Sequence, residues 1–150
     1  MKTYIIDGNN LIGKVKSLQN LQQKLKDQSR KNLVKILDKY FSDKNYKISL
    51  HFDGYENEPV VSSKIKIYYS QNHSADSKII KEIDSSKNPK LLTIVSSDSK
   101  IFDYAKVNSC EAIKSEDFAK IIRYKKNISE ENIQKSISDN EIKKMFGLSE

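Results

Sequence analysis

The run Leu91-Leu92-Thr93-Ile94-Val95, followed at once by Ser96-Ser97-Asp98, is the most apolar short stretch of the chain. Unbroken apolar character without period-two alternation marks a strand buried on both faces, as in the middle of a parallel sheet. Ser96-Ser97-Asp98 then reads as the start of a helix whose apolar positions are Ile101, Phe102, Tyr104 and Ala105. The same strand-then-helix unit recurs on either side. Upstream, Lys64 to Tyr69 (KIKIYY) is β-rich, and Ser74-Ala75-Asp76 opens a helix through Ile79, Ile80 and Ile83, with a turn at Asn88-Pro89. Further back, Tyr46 to Phe52 (YKISLHF) alternates and ends at Asp53-Gly54, and Tyr55 to Ser63 reads as a loop. At the N-terminus Lys2 to Ile6 (KTYII) ends at Asp7-Gly8. Downstream, Cys110 to Ile113 reads as a last short strand, Ser115-Glu116-Asp117 caps a helix through Phe118, Ile121 and Ile122, and an amphipathic helix is expected over about 129–146. Strands alternating with helices predict an α/β domain, with a mainly parallel central sheet and helices on both faces.

Between the first two strands, Lys14 to Lys47 reads as helical: Leu18, Leu21, Leu25, Leu33, Ile36, Leu37, Tyr40 and Phe41 recur at spacings of three and four. Lys14, Lys24, Arg30, Lys31, Lys35 and Lys39 fall between them. The chain has 27 Lys and Arg against 20 Asp and Glu, a net charge of +7. Residues 1–50 hold eleven of these basic residues and four acids, so they carry the whole excess. That basic face is either a solvated helix surface or a footprint for a phosphate backbone.

Leu, Ile, Val and Phe make up 40 of 150 residues, enough for one buried core, and the expectation is a single domain over 1–150. One cysteine, Cys110, excludes an internal disulfide framework and a cysteine-rich zinc site. No apolar run approaches the ~18 residues of a membrane span. The expectation is therefore a cytoplasmic chain with no membrane partner; its oligomeric state is left open.

In open parallel sheets the crevice outside the carboxyl ends of the strands is where ligands bind. Asp7 ends the first strand, Asp53 the second, Asp76 opens the helix after the third, and Asp98 follows the fourth. Two of these acids precede a glycine, Gly8 and Gly54, of only four in the chain, which lets the backbone turn sharply and a ligand come close. Carboxylates gathered in one crevice repel each other, and protonation or a bound cation relieves the strain. Hard oxygen donors suit Mg²⁺ or Mn²⁺, held by a few carboxylates, waters and substrate phosphate oxygens. An acidic crevice beside a basic surface fits hydrolysis of a phosphodiester in a polyanion. A receiver domain wants paired acids after the first strand, and a haloacid-dehalogenase-like phosphatase wants an acid where Asn9 stands; both fit less well.

The segments IIDGNNLIG (5–13), FDG (52–54), YSQNHSADSKIIKEI (69–83) and TIVSSDSKI (93–101) resemble, over about residues 3–125, the YacP-like NYN domains of the PIN-like nuclease superfamily. The resemblance implies a Rossmann-like α/β/α sandwich, a bound Mg²⁺ or Mn²⁺, and endoribonuclease action on single-stranded RNA, for some members at the ribosome. Carried over, it makes Asp7, Asp76 and Asp98 catalytic and metal-holding, with Asp53 a further metal ligand. Asn9, Asn10 and Ser97 become candidates for substrate or metal-water contacts. The basic face adds Lys14, Arg30 and Lys31 as candidates for RNA phosphates. Many relatives have a further acid in the helical region after the first strand, where this chain offers Asp27, Asp38 and Asp43 outside any motif. Asp53 or Asp103 is left to fill that place, and one-metal and two-metal chemistry both stay open. His51 is expected to be a packed or edge histidine and His73 a surface residue. Of Tyr68 and Tyr69 one is expected in the core and one partly exposed, and Cys110 in the core. Arg123, Lys125 and Lys126 form a basic run that either touches phosphate or ends a helix. A different class of function, a catalytically silent RNA-binding module, would keep the fold and the basic face.

Overall fold

Ile5 and Ile6 are neighbours in the chain yet belong to different apolar layers, because successive strand side chains point to opposite faces. They lie on β1 (Thr3–Asp7), the middle strand of a five-stranded sheet. The computed structural model describes residues 1–123, apart from the side chains of 22–24. The other strands are β2 (Lys47–Phe52), β3 (Ile65–Tyr69), β4 (Leu92–Val95) and β5 (Glu111–Ile113). Their order is β3-β2-β1-β4-β5 and every pairing is parallel. Chain order therefore runs outward from β1 on one side, then restarts at β4 on the other. The switch point lies between β1 and β4.

Helices cover both faces, which makes an α/β/α sandwich. On one face lie α1 (Gly8–Ile12), α2 (Lys16–Lys24), α3 (Lys26–Phe41) and α6, a helix running from 115 to 123. Leu11, Leu18, Leu33, Leu37, Phe41, Phe118 and Ile122 from these helices pack on Ile6, Leu50 and Val95. On the other face, α4 (Ala75–Asp84) and α5 (Ser99–Val107) bring Ile79, Ile83, Ile101 and Ala105 onto Ile5 and Ile94. Each such fully buried side chain contributes about 1.5–3 kcal/mol. An aromatic cluster fastens α6 to this framework: the Tyr40 and Phe118 rings meet edge-on at 5.6 Å, and Tyr4 packs against Phe41 at 5.0 Å.

The elements follow the expected course with instructive differences. The stretch Lys14–Lys47 is not one helix: the chain breaks at Leu25 (φ −135°, ψ 72°) between α2 and α3, and helix gives way after Phe41. The alternation in β2 separates two buried faces rather than core from solvent. Ser49 and His51 are buried beneath α4, where Glu82 takes the Ser49 hydroxyl at 2.8 Å and the His51 Nε2 at 2.7 Å. Leu91 ends a short 3₁₀ turn, Pro89–Leu91, ahead of β4. Among the described residues no helix is long and apolar enough to cross a membrane. The helix expected over 129–146 lies outside the described residues, as do Lys125 and Lys126.

Candidate active site

Parallel strands all end at one rim, so any acid at a strand terminus is delivered there by topology. Asp7 closes β1 and is 5% exposed, the most enclosed acid of the set. Burial, with the charges of Asp76 and Asp53, pushes its carboxyl up to about 6, against the opposing hydrogen bonds from the Ser96 hydroxyl and the Asn10 N–H. Asp76, in the first turn of α4, is likewise raised by burial and then by Asp98 and Asp53, with Lys100 opposing. Asp76 and Asp53 thus act on Asp7, and Asp98 and Asp53 on Asp76, through space at the carboxyl ends of the strands, astride the β1/β4 switch point. Asp103 is exposed on α5, and the charges that raise Asp7 and Asp76 are those of Asp53, Asp76 and Asp98.

The sharp turn after Asp7 needs a residue without a side chain. A Cβ on Gly8 would stand 2.7 Å from the His51 carbonyl oxygen and 2.7 Å from the Phe52 ring. Asn9 and Asn10 then brace the rim sideways. The Asn9 Oδ1 accepts from the Asp53 N–H at 2.8 Å, tying β1 to the end of β2. The Asn10 Oδ1 accepts from the Ser97 N–H at 2.9 Å, tying it to the end of β4. Asp53 is itself anchored, its Oδ1 accepting from the Ala75 N–H at 2.9 Å, which sets it beside the start of α4. Asp98 caps α5, its Oδ1 accepting from the N–H groups of Lys100 (2.9 Å) and Ile101 (3.2 Å).

Ser96 and Glu116 are site residues that the sequence reading passed over. The Ser96 hydroxyl donates to the Asp7 Oδ2 at 2.9 Å and accepts from the Asp98 N–H at 3.1 Å, so it couples the two acids. Ser97, the serine singled out by position, turns the other way: its Oγ donates to Glu116 Oε1 at 2.6 Å and accepts from the Ser115 N–H at 2.9 Å. That hydrogen bond, then Lys14, holds the Glu116 carboxyl below its usual range. A buried serine at the end of an apolar run was the available signal for Ser96. Nothing local marked Glu116.

Arg30 is not on the basic surface. It is 1% exposed, its guanidinium lying 5.1 Å from the centroids of both Phe52 and Tyr69. Its Nη1 donates to the Tyr55 carbonyl at 2.9 Å and its Nη2 to the Asp53 carbonyl at 2.6 Å. The planar fork and aromatic-facing surface of guanidinium suit this buried duty, in which Arg30 pins the loop that carries Asp53. Gly54 in that loop has φ +84°. Lys31 is half-buried and paired with Glu58 at 2.9 Å. Lys14 is exposed, near Glu116. His51 is buried, stacked on the exposed Tyr68 at 4.9 Å; His73 is exposed; Tyr69 is half-buried; Cys110 is buried.

Among the described residues no three His, Cys, Asp or Glu side chains are arranged to hold a metal ion directly. The donor set still suits a small hard cation. Mg²⁺ keeps several waters and is usually held by one or two carboxylates plus substrate phosphates, without an all-protein cage. Burial first, and the neighbouring acids after it, disfavour the ionised forms of Asp7 and Asp76, a penalty that such an ion would offset.

Two crystal structures of Rae1 (YacP) from Bacillus subtilis share this fold. One superposes with a TM-score of 0.75 at 18% identity, covering 90% of this chain and 81% of that one. The other, of a point mutant, gives 0.73 at 16% identity, covering 96% and 89%. No curated protein matches the chain at comparable significance. The model of the YacP-like NYN domain family matches residues 4–148, nearly the whole sequence. NYN domains are part of a nuclease superfamily. This chain belongs to the YacP-like NYN domain family.

Proposed function

We propose that the chain is an endoribonuclease that hydrolyses phosphodiester bonds of single-stranded RNA with Mg²⁺ or Mn²⁺, with mRNA at the ribosome as its candidate substrate. The reading takes 1–150 as one domain working in the cytoplasm. The observation that carries it is the buried Asp7 carboxyl, raised to about 6 by burial and by Asp76 and Asp53 on one rim. Acids raised by burial and by neighbouring like charge cluster at functional sites, which supports the reading. Asp7, Asp76 and Asp98 are assigned as the catalytic acids that hold the cation, with Asp53 beside them. When bound, the ion supplies Lewis acidity, neutralising charge on the scissile phosphate and activating the attacking water. Ser96 orients Asp7 against Asp98, Asn9 and Asn10 keep the strand ends in register, and Lys14 draws the polyanion toward the acids.

The deciding assay is cleavage of end-labelled single-stranded RNA with Mg²⁺, Mn²⁺ or EDTA, for wild type and Asp98→Asn. Asparagine retains the oxygen that caps α5, so the fold is kept while a charge is lost. We expect cleavage only with metal, and at least a hundredfold loss in the variant, since even partners behind a metal ligand are worth about 10–100-fold. Undiminished cleavage by Asp98→Asn overturns the assignment. A second reading is a silent RNA-binding module that keeps the fold and the basic surface. That reading gains if RNA is bound but cut with neither ion.

A further inference from the structure

Beside the acidic rim a cavity of about 460 Å³ opens between α6 and the junction of α1 with α2. On α6, Glu116, Lys120 and Arg123 are spaced by four and three, so they form one stripe along the helix. Lys14 and Lys16 face them from the other wall. The floor is apolar, built from Val15, Ile36, Ala119 and Ile122. Four positive side chains thus ring the cavity against one negative, and Glu116 is turned to Ser97. All four cations are exposed, and among the described residues none makes a direct ion pair. The same Glu116–Ser97 hydrogen bond joins the cavity to the rim, because the Ser97 backbone is held by Asn10, three residues from Asp7.

We propose that this groove is the subsite for the stretch of single-stranded RNA flanking the cleaved phosphate. In it Lys14, Lys16, Lys120 and Arg123 take backbone phosphates, and the apolar floor covers a base. The volume lies within the roughly 300–1,000 Å³ of small-ligand sites, room for a nucleotide. Exposed cations around an apolar floor match a strand with phosphates on one edge and base faces on the other. The surface is distinct from the outward face of α3, on which Lys35 and Lys39 lie. The inference rests on the ribonuclease reading, whose substrate path it names.

The test is fluorescence anisotropy of a labelled mixed-sequence single-stranded RNA in EDTA, titrated over a range of salt. Lys120→Gln/Arg123→Gln should bind about tenfold more weakly. Its plot of log affinity against log salt should be shallower by about 1.4, two phosphate contacts at ~0.7 each. Lys14→Gln/Lys16→Gln, on the facing wall, should do the same. Lys87→Gln/Lys90→Gln removes equal charge at the amino ends of the strands and should stay within about twofold of wild type. Equal losses for the rim and control pairs, or none for either rim pair, overturn the proposal. Binding needs no catalysis, so a protein that binds here but cuts nothing sinks the nuclease reading alone. Cleavage by wild type with binding untouched in both rim pairs sinks the groove alone.

Discussion

Replacing Asp7 by asparagine should make the protein more stable, although it removes an acid assigned to the chemistry. The Asp7 carboxyl titrates at about 6 in the folded chain against 3.8 as a free side chain, chiefly through burial. Each unit corresponds to 1.36 kcal/mol, so the ionised group costs the native state about 3 kcal/mol at neutral pH. Asparagine removes the charge but presents an amide where Ser96 and Asn10 now donate, which returns about 1 kcal/mol. The net gain is about 2 kcal/mol, roughly 4–8 °C in Tm for a chain of this size. Direction with pH is set by the raised value. The folded state holds its proton more tightly, so the acid costs almost nothing below about 3.8, stability drains away between about 3.8 and 6, and the loss levels off above that. Asp76 shifts the same way and reinforces the trend. Thermal unfolding followed by circular dichroism in EDTA, at pH 7.5 and pH 4, reads this directly. We expect Asp7→Asn to melt higher than wild type at pH 7.5 and slightly below it at pH 4, where the charge costs little and the misplaced amide still counts. A variant no more stable at pH 7.5, or a gain of equal size at both values, refutes the claim that an uncompensated buried charge sits at the end of β1.

Arg30→Ala should cost at least about 3 kcal/mol in a urea titration, because it empties a buried site between Phe52 and Tyr69 and strands the carbonyls of Asp53 and Tyr55. Weakened RNA binding with an unchanged unfolding midpoint would instead return Arg30 to the surface. Gly8→Ala forces a methyl to within 2.7 Å of the His51 carbonyl, so its unfolding free energy should fall by about 2 kcal/mol or more and its urea midpoint with it. An unaltered midpoint would mean that the turn after β1 is looser than described.

Much of this protein is legible in local pattern. The run LLTIV announces a doubly buried strand, strand–helix alternation announces a parallel sheet, and Asp7, Asp53 and Asp98 are placed by the strands they terminate. These signals concern residues a few positions apart, where side-chain period and turn chemistry act alone. Contacts between distant residues left no such mark. Arg30 has the spacing of a surface cation, and only the approach of Phe52, Tyr69 and the Asp53 loop buries it. Ser96 and Ser97 are indistinguishable as adjacent serines, until strand pleating turns one to Asp7, 89 positions away, and the other to Glu116. The asparagines after Asp7 read as candidate ligand contacts, and only the fold shows that they also brace the strands on either side. Sequence alone determined the class of fold and the acids at its strand ends, because both follow from short-range periodicity. The strand order and the partner of each polar group were decided by tertiary structure, because each depends on which strands pair, and pairing is a property of the whole chain.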